Sequence, residues 1–221
     1  MSTQVYLGIG SNLNRDNAIL FAIARLRPLF ANFKVSPVYE SKPVRTAEPD
    51  YYNLVVGGQT ELGFSELYKV LKEIEAEAGS EFMIYNTTNF GLKPRVDIDI
   101  LIYGEEVHTE PCKVPRHDVQ DYPFVTTPLN DIAPDLVHPI LKFTVAEIFE
   151  QMQPHIPEER RVHQVDFDFN RPVPAWPEPA TETPAEVEPS KACSACSGAY
   201  NKEQPEAEPF ASTGDAGCNW C

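Results

Sequence analysis

The segment RVDIDILIYG, Arg95 to Gly104, constrains the fold more than any other stretch of the chain. It alternates strictly, with Val96, Ile98, Ile100 and Ile102 on one side and Asp97, Asp99, Leu101 and Tyr103 on the other. A period of two is the signature of a strand, and an apolar back of this kind has to be covered by other elements. Side chains two apart on a strand lie about 6–7 Å from each other on one face. The strand therefore holds two carboxylates side by side. Two uses fit such a pair. One is a hard cation such as magnesium, which is typically held by one or two carboxylates while phosphate and water fill its other positions. The other is a half-exposed face carrying solvated charge. Leu101 and Tyr103, continuing the aspartate face, favour a pocket over open solvent.

The rest of the first 160 residues supplies the covering elements. QVYLGIG reads as a short strand ending in glycine, and NRDNAILFAIARLRPL as a helix. FKVSPVYES and YNLVVGGQTEL read as strands, joined by the polar loop KPVRTAEPDY. SELYKVLKEIEAEAG is an amphipathic helix stopped by Gly79. The 14-residue stretch SEFMIYNTTNFGLK then leads into the aspartate strand. The order β-α-β-β-α-β predicts an α+β fold of the ferredoxin-like kind, an antiparallel sheet with helices packed on it. Two pieces follow, the turn-rich VPRHDVQDYPFVTTPLNDIAPDLVHP and the short helix VAEIFEQM.

Composition breaks near Arg171. Residues 172–221 hold 8 prolines, 8 acids and 2 lysines, without apolar periodicity. We expect a folded domain over 1–160 and a Pro/Glu/Ala-rich, disordered tail over 161–221. The balance of 18 basic against 33 acidic residues argues against a nucleic-acid-binding surface. No run approaches the length of a membrane span, and the first residues lack the pattern of a signal peptide. Five cysteines without an export signal point to the reducing cytoplasm. Four of them form CSAC (Cys193, Cys196) and CNWC (Cys218, Cys221), separated by 21 residues. That spacing suits a structural zinc ribbon. An iron centre, a redox pair and no defined role stand as alternatives, since the intervening residues offer little strand or hairpin.

Other residues gain interest from the aspartate pair. Arg95 and Lys93 precede it, and Lys113, Arg116 and His117 follow in CKVPRHD. Cations beside a metal–phosphate site neutralise a polyphosphate and the charge that develops as it reacts, although each taken singly reads as surface charge. Tyr51, Asn53 and Phe124 suit a flat heterocycle held between rings, its edge read by an amide. Core packing is the competing use. GIGSN, after the first strand, lacks the G-x-x-x-x-G-K-[ST] and G-x-G-x-x-G patterns and reads as a strand-to-helix turn.

VYLGIGSNLN, VSPVYES, PDYYNLVV, LYKVLKEIEAEAG, PRVDIDILIYG and VPRHDVQDYPFVTTPLNDIAPDLVHP together resemble, in the same order, the 6-hydroxymethyl-7,8-dihydropterin pyrophosphokinase family of folate biosynthesis. The resemblance covers about residues 4–140. It implies transfer of the β,γ-diphosphate of ATP to the pterin hydroxymethyl group, leaving AMP. It implies that Asp97 and Asp99 hold two Mg²⁺ on the ATP phosphates, helped by Arg95 and Arg116, the latter in place of a family histidine. Gly10, Ser41, Val44, Tyr51, Asn53 and Phe124 are implied to line the pterin pocket. Glu75 and Ile100 are implied to lie near the nucleotide, along with Lys93, Lys113 and His117. The loops KPVRTAEPDY and SEFMIYNTTNFGLK correspond to lids that close over the substrates. ATP and the dihydropterin are then the partners.

The chain departs from the family pattern at several positions. Ser80, Phe82 and Tyr122 stand where arginines are usual, and Arg95 lies one residue closer to Asp97. Weaker ATP binding or slower turnover is the expectation, with Lys93, Lys113 and Arg116 as substitutes. A member that binds pterin or nucleotide without catalysis, its tail docking a metal or partner, is the rival reading.

Overall fold

The computed structural model describes residues 2–44, 48–84 and 90–173, without the side chains of 82–84 and 90. The elements are β1 (Thr3–Ser11), α1 (Arg15–Leu26), β2 (Ala31–Val35), β3 (Val38–Ser41), β4 (Tyr51–Thr60), α2 (Phe64–Ala78), β5 (Ser80–Ile84), β6 (Phe90–Pro94), β7 (Asp97–Tyr103), α3 (Asp118–Asp121), α4 (Pro123–Ile132), α5 (Val145–Met152) and β8 (His163–Val165). Alternation along the strands gives the main sheet two distinct faces. It runs β7-β1-β4-β3-β8, with β2 also paired to β4, and every pairing is antiparallel. With β2 and β3 taken as one interrupted strand, this is the ferredoxin-like βαββαβ arrangement.

One face of the sheet meets α1 and α2. Val5, Leu7 and Ile9 of β1, Leu54 and Val56 of β4, and Ile98 and Ile100 of β7 share a core with Ile19, Leu67, Leu71 and Ile74. Burying each such side chain contributes about 1.5–3 kcal/mol. α2 ends where Gly79 adopts φ +78°, a conformation that favours glycine. The opposite face is covered by α4, which packs on β4, β3 and α5. A β-carbon at Gly57 would lie 2.8 Å from the Tyr6 ring. Glycine is thus what lets that ring cross β4.

Several sequence expectations change. FKVSPVYES breaks at Pro37, which has no N–H for the ladder. Ser36 fills the gap: its N–H donates to the Val55 carbonyl at 2.9 Å, and its Oγ accepts from the Val55 N–H at 3.0 Å. GIG lies inside β1, paired on both sides, and is not a turn. SEFMIYNTTNFGLK contains the β5–β6 hairpin, with 85–89 outside the described residues. The turn-rich segment contains α4, because Pro123 at its start costs no hydrogen bond and buried packing offsets Pro128 within it. Finally, β8 pairs with β3 beyond the boundary expected at residue 160.

The aspartate strand also departs from strict alternation. β7 begins at Asp97, and its register with β1 shifts so that Leu7 pairs with Ile100 but Tyr6 with Ile102. The extra residue, Leu101, is a bulge, and a bulge inverts the facing of the residues beyond it. Tyr103 therefore leaves the aspartate side. It packs edge-on against Phe64 at 5.5 Å, and its hydroxyl donates to the Leu62 carbonyl at 2.9 Å. Among the described residues no helix is long and apolar enough to cross a membrane.

Candidate active site

The site is laid out by strand register. Asp97 on β7 pairs with Gly10 on β1, Gly10 with Asn53 on β4, and Asn53 with Tyr39 on β3. Asp99 and Gly8 form the adjoining row with Val55. Residues paired in register share a face, here the one away from α1 and α2. Gly10 thus separates Asp97 from Asn53, leaving a floor without a side chain between groups two strand spacings, about 10 Å, apart, whereas the Leu101 side chain lies over Gly8 in the adjoining row.

Asn53 is almost wholly buried and donates from Nδ2 to Ser41 Oγ at 2.8 Å. Its Oδ1 is buried with no hydrogen-bond partner among the described residues, as is Asn12 Oδ1. An unmet buried acceptor costs about 1–3 kcal/mol, which a bound donor recovers. Phe124 of α4 is buried and stacked on Tyr122, centroids 5.0 Å apart. Val44 is exposed, next to residues 45–47, which lie outside the described set. The Tyr51 hydroxyl donates to Glu48 at 2.6 Å, and Lys93 from β6 bonds both groups.

Cations and a third carboxylate ring the aspartates. Arg116, almost wholly buried, reaches Asp99 Oδ1 with Nη1 at 3.0 Å and donates from Nε to Asp118. Lys72 on α2 sits 2.8 Å from Glu75 and 3.9 Å from Asp97. Glu75 Oε1 also accepts from the Ile98 N–H at 2.7 Å. That amide lies on the outer edge of the terminal strand β7, and the alternation of antiparallel pairing puts the Ile100 amide and carbonyl on the same edge. The Ile100 side chain itself is in the core under α2.

Burial is the largest cause raising both carboxyls, to about 7 each. For Asp97 the charge of Glu75 adds to it, for Asp99 the charge of Asp97, while Lys72 and Arg116 oppose. Positive charge is what this cluster lacks, and that is the feature that fits a divalent cation. No group of three or more His, Cys, Asp or Glu side chains suited to a metal occurs among the described residues.

Other residues singled out in the sequence lie at varying remove. Arg95 Nε donates to Glu81 Oε1 of β5 at 2.8 Å, and its carbonyl accepts from Ser11 Oγ at 2.6 Å. Lys113 and His117 are exposed, His117 3.4 Å from Gln120. Cys193, Cys196, Cys218 and Cys221 lie outside the described residues. Lys72, Glu48 and Asp118 are site residues that sequence reasoning missed. Helical spacing held a signal for one of them, since Lys72 precedes Glu75 by one turn on the same stripe of α2.

The fold recurs in solved structures. Wild-type Plasmodium falciparum HPPK-DHPS aligns with a TM-score of 0.52 at 13% identity, over 75% of this chain and 50% of that one. The family itself is defined by sequence. Residues 6–134 match 7,8-dihydro-6-hydroxymethylpterin-pyrophosphokinase (HPPK), and the chain belongs to that family. It is 37% identical over 147 residues to the 2-amino-4-hydroxy-6-hydroxymethyldihydropteridine pyrophosphokinase of Aquifex aeolicus, covering 65% of this chain and 88% of that protein. To the folic acid synthesis protein fol1 of Pneumocystis carinii it is 35% identical over 175 residues, covering 75% of this chain. Here the chain spans about a quarter of its relative, 23%.

Proposed function

We propose that the chain transfers the diphosphate of ATP to 6-hydroxymethyl-7,8-dihydropterin, releasing AMP, a step of folate synthesis. The observation that carries this is the row Asp97–Gly10–Asn53. It sets a buried, unmet amide oxygen across Gly10, which has no side chain, from a carboxylate pair short of positive charge. Asn53 Oδ1 takes an N–H of the pterin edge, Tyr51 and Phe124 contact the ring, and the hydroxymethyl group is directed along the floor to the aspartates.

Asp97 and Asp99 hold the Mg²⁺ ions, which supply positive charge to the phosphates. In the reaction the pterin oxygen bonds to the β-phosphorus, the bond from that phosphorus to the AMP oxygen breaks, and the hydroxyl proton is released to solvent. The protein's share is positioning and charge, the main contributions in phosphoryl transfer. Arg116 fixes Asp99, and Glu75 with the β7 edge orients the nucleotide. Buried side chains of β4 and α4, Val55 and Phe124 among them, limit water around the floor. For the tail cysteines, sequence spacing alone supports zinc, and cysteine usage alone supports a cytoplasmic setting.

Purified protein given ATP, Mg²⁺ and the hydroxymethyl-dihydropterin is expected to release AMP, and Asp97→Ala and Asp99→Ala to abolish that release while remaining folded. Pterin binding without AMP above background would favour the non-catalytic rival instead.

A further inference from the structure

We infer that Lys72 binds the nucleotide polyphosphate beside Asp97, an assignment that rests on the diphosphate-transfer reading above. The positions where arginines are usual hold Ser80, Phe82 and Tyr122, so the charge has to come from elsewhere. The cations nearest the aspartates in sequence are already engaged by protein carboxylates. Lys93 is bonded to Glu48 and Tyr51, its side chain 12% exposed. Arg116, at 7%, is shared between Asp99 and Asp118, and Arg95 is paired with Glu81.

Lys72 differs in both accessibility and placement. Its side chain is 40% exposed, and its Nζ stands 3.9 Å from Asp97, too far for a hydrogen bond but close enough for its charge to act on the same ligand. Glu75 is its hydrogen-bond partner, and an ammonium has three donors on a long, flexible stem. Tyr68, one turn earlier, places its ring 5.7 Å from the ammonium. Tyr68, Lys72 and Glu75 thus make one stripe of α2, and Glu75 ties that stripe to the outer edge of β7 through the Ile98 amide. A nucleotide lying along this edge, with its phosphates toward Asp97, meets Lys72 first.

The test is calorimetric binding to the full chain of three ligands: the Mg²⁺ complex of a non-hydrolysable ATP analogue, AMP, and the dihydropterin. Lys72→Met keeps the stem and removes the charge. It is expected to weaken the analogue about tenfold, the typical effect of losing a charged hydrogen bond, while AMP and pterin affinities hold and Lys72→Arg restores most of the loss. Equal weakening of analogue and AMP would make Lys72 a prop for Glu75, and unchanged analogue binding would remove it from the ligand altogether; either overturns the inference. Wild-type AMP release with an unaffected Lys72→Met sinks this inference alone. A wild-type chain that binds the analogue and loses that binding with Lys72→Met, yet releases no AMP, sinks the transfer reading alone, and failure to bind the analogue sinks both.

Discussion

Asp97 and Asp99 titrate near pH 7 in the folded chain, raised first by burial and then by the charge of Glu75 on Asp97 and of Asp97 on Asp99, against about 3.9 in the unfolded chain. Between those values the folded state binds more protons than the unfolded state, so stability falls as pH rises through that window and levels above it. Each tenfold difference in proton affinity between the two states is worth about 1.4 kcal/mol, and with two interacting sites the fall amounts to a few kcal/mol. Glu48 behaves oppositely. Burial pushes its carboxyl up, but hydrogen bonds from Lys93 and Tyr51 outweigh that, and its contribution is lost only at acid pH. Without Mg²⁺ the protein should therefore melt at a lower temperature at pH 8 than at pH 5. Asp99→Asn should raise the pH 8 midpoint and flatten the profile; an unchanged slope in that variant would show that the pair is not the source. The two aspartates were visible in the sequence because strand alternation puts them on one face. Glu48, Asp118 and Lys72 were not, because each gains its role through a cation or carboxylate brought in by another segment: Lys93 for Glu48, Asp97 for Lys72, and for Asp118 the Arg116 that also holds Asp99.

Strand and helix order was legible for a related reason: periods of two and 3.6 survive wherever a single buried face dominates an element. It failed where identity comes from a neighbour. The hairpin β5–β6 and the short β8 have little apolar pattern of their own, and β8 exists because the edge of β3 offers backbone groups to pair. The Leu101 bulge is illegible for the same reason, being a mismatch between β1 and β7 and not a property of either. Beyond β8, Phe167 packs edge-on against Tyr52 at 6.4 Å, which anchors the strand over that edge. Phe167→Ala should cost about 1–2 kcal/mol, given its half-buried ring. Urea unfolding measures this, and a midpoint equal to wild type would mean that β8 is held by backbone pairing alone.

At the scale of the whole molecule, the part that matches the family ends well before the chain does. Residues 6–134 carry the match, whereas CSAC and CNWC fall at 193–196 and 218–221. Among the described residues, Asp97, Asn53 and their partners all lie on the sheet and its helices. A chain ending at Arg171 keeps β8, Phe167 and the 3.1 Å ion pair of Arg171 with Asp16. It should release AMP at the full-length rate. Metal content is where the two chains ought to differ. Four thiolates complete a tetrahedral zinc site, and for a segment whose sequence lacks apolar periodicity the binding free energy is also folding free energy. Full-length protein should therefore carry about one zinc per chain, and both Cys218→Ser and the chain ending at Arg171 should carry none. Equal zinc in all three would remove the ribbon reading, while zinc loss accompanied by slower AMP release would show that the tail acts on the catalytic domain after all.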